Sequence, residues 1–170
     1  QAIIPCDQVG VSLFDLEAGE LQILALQATG TPVLEIGTQH PLNEEWLAQL
    51  LQNETWLIAD MQALANATPI QQRVREQGYN SSVSIRLMPQ NKLIGALYLL
   101  SRKSNAFSRD EIEVAREVAD QIAIAIHQSQ LLADNRQRAE ELDTLRRVTL
   151  DITAQLDLDK VLNTVVKNAM

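Results

Sequence analysis

The chain has 170 residues, 46% of them hydrophobic and 4% aromatic, with 14 Lys and Arg against 22 Asp and Glu for a net charge of −8. That length holds about one domain with a real core, and the acidic balance argues against a reader of nucleic-acid phosphates, which needs a concentrated basic face. No apolar run approaches the roughly 18 residues of a membrane span and no signal-peptide pattern opens the chain, so the sequence implies neither a nucleic-acid partner nor a membrane in this segment. The single cysteine, Cys6, excludes an internal disulfide and a multi-cysteine zinc site and suits a cytoplasmic setting.

Because the sequence starts at Gln1 without a methionine, it reads as a piece of a longer protein. Residues 2–4 read as the last turn of a helix, with Cys6 a buried structural thiol near its end. Val9, Val11 and Leu13 alternate with Gly10, Ser12 and Phe14, which predicts a first strand with one aliphatic and one mixed face. Residues 16–20 contain Glu-Ala-Gly-Glu, where Gly19 supplies the positive φ of a hairpin turn, and residues 21–29 form the returning strand. A loop follows over 30–37. A short helix is expected over 43–51, starting at Asn43, with Trp46, Leu47, Leu50 and Leu51 on one side and Glu44 and Glu45 where the helix dipole favours acid. Residues 55–59 read as a third strand. Residues 60–78 read as a helical region interrupted at 66–69 and ended by a glycine. Residues 81–88 and 92–100 form a hairpin about Pro89, Gln90 and Asn91. Five strands joined mainly by hairpins, with helices inserted, define an α+β class with a central antiparallel sheet flanked by helices.

The helix that begins after Ser108 has its own signature. Glu111 falls three residues after Ser108, as a capping box requires, and Phe107 is placed to staple against Ile112. No Pro or Gly interrupts residues 108–155, so a continuous helix of roughly 70 Å is allowed at 1.5 Å per residue. Ile112, Ala115, Ala119, Ile122 and Ile126 make its first stripe, with Val118 and Ala125 beside it. Beyond Gln130, Leu142, Leu145, Thr149, Ile152 and Leu156 alternate by three and four, the spacing of a coiled coil.

Taken together, IGALYLLSR, the Ala-Phe-Ser-Arg-Asp-Glu helix start at 106–111 and ADQIAIAI at 119–126 resemble the end of a GAF domain. QVGVSLFDLEAGELQILAL at 8–26 is similar to that family's first hairpin, and TWLIAD at 55–60 to its strand that is followed by Asp. The resemblance implies a small-molecule sensing and dimerising module of bacterial signalling proteins. On it, residues 1–130 are the GAF domain, 131–155 a coiled-coil-like linker, and 156–170 the start of a second GAF domain, whose apolar face would carry Val161, Leu162, Val165 and Val166.

Enzyme chemistry finds no support in the residues: His40 and His127 are the only histidines, and neither has the spacing of a triad or a metal set. The family's methionine sulfoxide reductases need several cysteines. Its bilin-binding members carry a Cys, commonly beside a His, in a segment that reads TPIQQRVREQGYN here, which argues against a covalent bilin. Its cyclic-nucleotide members carry Asn-Lys where this chain has Ser101 and Arg102, and a Phe followed by Asp-Glu where Asp110 and Glu111 sit one position early, which argues against cyclic GMP or AMP. Haem would need His40, in a loop, as axial ligand. A pocket is expected between the sheet face away from the long helix and residues 38–80, with Ser12, Phe14, Trp46, Asp60, Ser82, Ser84, Arg86 and Tyr98 as its ligand-binding candidates. Arg86 has two readings, an anchor for a carboxylate or phosphate or an edge-strand arginine paired with surface acid. The expected function is a non-catalytic sensor that forms a homodimer through its long helix and relays an unknown ligand to an output domain of the same polypeptide. The alternative is a degenerate GAF domain acting only as dimer scaffold and spacer.

Overall fold

The computed structural model describes residues 4–168, with side chains described to position 153. Ala2 and Ile3, expected in the last turn of a helix, lie outside the described residues, and Ile4 is in a bend. The chain divides into two compact units, Gln1–Ala125 and Ile126–Met170.

The first unit is built on six antiparallel strands in the order β3-β2-β1-β6-β5-β4. β1 (Gln8–Asp15) and β2 (Glu20–Ala28) form the expected hairpin. The Asp15 carboxylate accepts the N–H groups of Glu17 and Ala18 at 3.1 and 2.9 Å, and Gly19 completes the turn at φ +69°. β3 (Gln39–Pro41) was not expected and corrects the strand count from five to six. It is an edge strand, where a proline that cannot donate to a ladder is tolerated.

α1 (Glu44–Gln52) starts at Asn43, whose side chain accepts the Trp46 N–H at 2.8 Å. Leu50 is its fully buried residue, while Leu51 is exposed. β4 (Thr55–Ile58) leads into a 3-10 turn (Met61–Ala63) and then α2 (Pro69–Glu76). Thr68 and Gln71 make a reciprocal capping box, with Pro69 in the first turn. The proline therefore begins this helix, since its missing N–H is one of the unpaired donors there in any case. β5 (Ser81–Leu87) and β6 (Gly95–Ser101) pair from Ser81↔Ser101 to Leu87↔Gly95.

Strand register sorts the side chains into two layers, because successive residues point to opposite faces. Val9, Leu99, Val83 and Leu57 lie in one cross-strand row, and Val11, Leu97 and Ile85 in the next, all on one face. The other face carries the row Gln8, Leu100, Ser82 and Ile58, and the row Gly10, Tyr98, Ser84 and Trp56. A bulge between Val11 and Ser12 brings Ile23 of β2 onto this second face beside Ser12. Gly95 is required by close approach, since a Cβ there would collide with the Ser12 carbonyl oxygen.

α3 spans Arg109–Asn168. Its start has the expected capping box: the Glu111 carboxylate accepts the Ser108 N–H at 2.7 Å, and the Ser108 hydroxyl accepts the Glu111 N–H at 3.3 Å. Within the first unit, Ala115, Ala119 and Ala123 are buried. Ile112 and Ile122 are half-buried, whereas Val118, expected beside the stripe, is exposed. In the second unit Leu142, Leu145 and Ile152 are 67, 64 and 55% exposed. Leu156 and the apolar face expected of residues 156–170 lie outside the described side chains.

Candidate functional site

The second face of the sheet does not close completely against the elements over it. A cavity of about 100 Å³ remains between that face, α1, the segment from Ile58 to Val74, and Val33 and Leu34 of the loop after β2. Leu21, Ile23, Ile58, Met61, Val74 and Leu100 supply much of its apolar wall. Trp46 stands on α1 with its indole against the edge of Phe14, ring centroids 5.3 Å apart at 68°, a favourable edge-to-face arrangement.

Polar groups enter this wall from β1, β5 and β6. Gln8 is 1% exposed, and its Oε1 accepts both the Val33 N–H at 3.1 Å and the Tyr79 hydroxyl at 3.2 Å. A backbone N–H can only donate, so the amide orientation is fixed: oxygen faces Val33, and Nε2 is a donor. That Nε2 is buried without a partner, as is the Tyr98 hydroxyl. Burial pushes the Tyr98 hydroxyl up to about 12; the nearby Gln8 side chain opposes part of that rise without completing a well-formed hydrogen bond, and Tyr79 adds to it. The ring of Tyr98 lies over Gly10, its strand partner, where a Cβ would overlap the phenol. The Ser12 hydroxyl reaches the Ala96 carbonyl at 3.4 Å. Asn43, Thr68 and Gln71 also line the cavity, but their side chains are occupied as helix caps.

Of the eight residues singled out from sequence, Ser12, Trp46, Ser82, Ser84 and Tyr98 line the cavity, and Phe14 stands behind Trp46. Asp60 and Arg86 stand apart from it. The Asp60 carboxylate accepts the Gln62 N–H at 2.9 Å and caps the 3-10 turn. Arg86 donates to the Leu51 carbonyl at 3.4 Å and lies 3.6 Å from Glu54, whose other carboxylate oxygen pairs with Arg116 of α3. Its strand, β5, is interior to the sheet and not an edge. Gln8 escaped the sequence reading because polar residues at strand ends are commonly solvated. Its signal was parity: Gln8 shares a face with Gly10, Ser12 and Phe14.

His40 sits on β3 with Nε2 2.9 Å from the Thr38 hydroxyl, and burial together with Arg73 lowers its pKa. Cys6 is half-buried in the segment before β1, less buried than expected, and burial and the adjacent Asp7 push its thiol up. Among the described residues no group of His, Cys, Asp and Glu is arranged to hold a metal ion, and no helix is long and apolar enough to cross a membrane.

An antiparallel sheet with helices on it and a cavity over one face defines a small α+β sensory-type fold whose class the comparisons then name. The GAF domain family matches residues 2–126, and the chain belongs to that family. Comparison with curated proteins gives no match. Among solved structures, the GAF domain of a two-component sensor histidine kinase from Bacillus halodurans is similar at 20% identity and TM-score 0.65, covering 76% of this chain and 87% of that one. The phycocyanobilin-bound GAF domain of a cyanobacterial phytochrome is similar at 22% identity and TM-score 0.62, over 74% of this chain and 77% of that one. A GAF domain/HD domain protein from Geobacter sulfurreducens aligns at 18% identity and TM-score 0.62, over 76% and 85%. These likenesses establish the shared fold.

Proposed function

We propose that the chain is a non-catalytic sensory and dimerisation module of a cytoplasmic signal-transduction protein such as a sensor histidine kinase. It holds a small molecule in the cavity over the sheet and relays its occupancy, or the state of a neighbouring domain, along α3 to an output domain in the same polypeptide. The observation that carries this reading is the cavity itself, mainly apolar, with two buried polar atoms left without partners. Ligand sites have this composition, and of the described buried side-chain atoms without partners, those of Gln8 and Tyr98 belong to residues that line the cavity while those of Thr55 and His127 do not. The histidine-kinase neighbour supports the signalling context. The reading involves no covalent bilin, haem or cyclic nucleotide.

Relay needs two arrangements of the dimer whose populations a ligand shifts. Leu142, Leu145 and Ile152, at heptad spacing and exposed, supply a seam for a second copy of the helix. Truncation after Gln130 therefore weakens dimerisation by about tenfold or more, measured by analytical ultracentrifugation; an unchanged dissociation constant removes the seam from the mechanism. Native mass spectrometry of the chain tests the reading as a whole. A dimer with added non-protein mass supports the ligand-holding sensor. A dimer without it favours the second reading, a scaffold and spacer, for which the exposed leucines speak without reference to the cavity.

A further inference from the structure

We infer that the cavity selects a small, uncharged, largely apolar molecule of about the size of butanone, held by one accepting oxygen between Gln8 Nε2 and the Tyr98 hydroxyl. This rests on the sensory reading above and specifies its ligand class.

Three observations converge on it. The first is charge. Among the described residues that line the cavity none is charged, and the cation expected there, Arg86, is engaged with Glu54 and the end of α1. A carboxylate or phosphate would be desolvated with no counter-charge, which is strongly unfavourable.

The second is the sense of the two unpaired groups. Gln8 Nε2 can only donate, because Val33 and Tyr79 fix the amide oxygen on the other side. Tyr98 keeps its proton throughout the neutral range, since burial raises its pKa to about 12. Gln8 and Tyr98 are diagonal neighbours on β1 and β6, Gln8 pairing with Leu100 and Tyr98 with Gly10, close enough for their polar ends to serve one partner. The Tyr98 hydroxyl can accept as well as donate, but even where Gln8 Nε2 turned to it the phenol proton would still need an acceptor, and a ketone, lactone, amide or ether oxygen supplies one.

The third is size. A volume of about 100 Å³ is somewhat below the roughly 150 Å³ of an apolar cavity that takes up benzene. The fitting molecule is therefore smaller than benzene: a tetrapyrrole, a nucleotide or a substituted six-membered ring would require the walls to open, and a short-chain ketone would not.

The test uses the whole chain, labelled with ¹⁵N and titrated with butanone, its hydrocarbon isostere 2-methyl-1-butene and its carboxylate isostere propionate while backbone amide shifts of residues 8, 33 and 98 are followed. Butanone is expected to bind with saturating shifts, and the carboxylate at least about tenfold more weakly. Tyr98→Phe, which keeps the ring, is expected to weaken butanone by about three- to tenfold and to leave 2-methyl-1-butene unchanged. Carboxylate binding as tight as that of the ketone, or a ketone affinity indifferent to Tyr98→Phe, overturns the ligand class while leaving a ligand-binding cavity. Absence of shifts with all three probes overturns the ligand-holding reading as well and leaves the scaffold. The comparison of the three probes on the unmodified chain stands without the variant.

Discussion

The two faces of the sheet are both buried, yet they are made of different residues. On one face Val83, Ile85, Leu97 and Leu99 are each at most 3% exposed, and the chain buries Ala115, Ala119 and Ala123 of α3 as well. On the other, Gln8, Ser12, Ser82 and Ser84 are buried among the apolar residues, with Tyr98 between them. Burying a polar group without a partner costs stability, so a sheet optimised for packing alone would be aliphatic on both sides. The first face serves cohesion, and on the function proposed above the second gives up cohesion for recognition. Thr55, in the row of Ile85 on the first face, also has a buried hydroxyl without a partner; what marks the second face is that its two such groups, on Gln8 and Tyr98, belong to residues that line a cavity, while the conspicuous arginine of β5 is absorbed into an ion-pair bridge from Arg86 through Glu54 to Arg116.

This contrast breaks most visibly at Leu97. Leu97→Ala removes a side chain that is 3% exposed from the aliphatic face and is expected to lower stability by about 2–5 kcal/mol in urea unfolding; a loss below about 1 kcal/mol would mean that this face is loosely packed. An intermediate effect comes from the Tyr98 phenol, which ionises near 10 when unfolded and at about 12 in the fold. Below pH 10 both states hold the proton and the group contributes no slope. Between pH 10 and 12 the unfolded chain releases it first, so stability falls as pH rises, by about 2–3 kcal/mol across that window. Tyr98→Phe should abolish this component of the alkaline slope, and parallel slopes for the two proteins would show that the phenol is hydrated. The smallest effect belongs to Ser84→Ala, on the recognition face, which should change stability by less than about 1 kcal/mol in the same unfolding assay. A larger loss would show that the hydroxyl is structural.

Much of the fold was legible because its elements carry strong local patterns: period-two alternation in β1, the capping box at Ser108 and Glu111, and the unbroken helical run after it. β3 was not, since Gln39, His40 and Pro41 are strand-like only in having β2 beside them, and a three-residue edge strand has no period to detect. For the site, alternation grouped Ser12 with Phe14 and Ser82 and Ser84 with Arg86; of these the cavity brings Ser12, Ser82 and Ser84 together, with Tyr98 beside them. That Arg86 pairs with a surface acid was one of its two readings, but which acid was not legible: its partners, Leu51 and Glu54, are more than thirty positions away, and pairing at that distance is decided by how α1 packs on β5. Nor does sequence spacing report that the oxygen of Gln8 is taken by Val33, the fact that turns its nitrogen toward an absent partner.

Gly10 and Tyr98 are one variable written at two positions. The phenol occupies the space a Cβ at Gly10 would need, so what the fold constrains at this crossing of β1 and β6 is the sum of two side-chain volumes. A chain that enlarges the first must shrink the second, and trading volume from Tyr98 to position 10 would move the bulk from the middle of the floor toward β2 without lengthening a strand. Such a family of chains could re-cut the chamber for ligands of other shapes by exchange between two neighbouring positions, leaving register and backbone as they are.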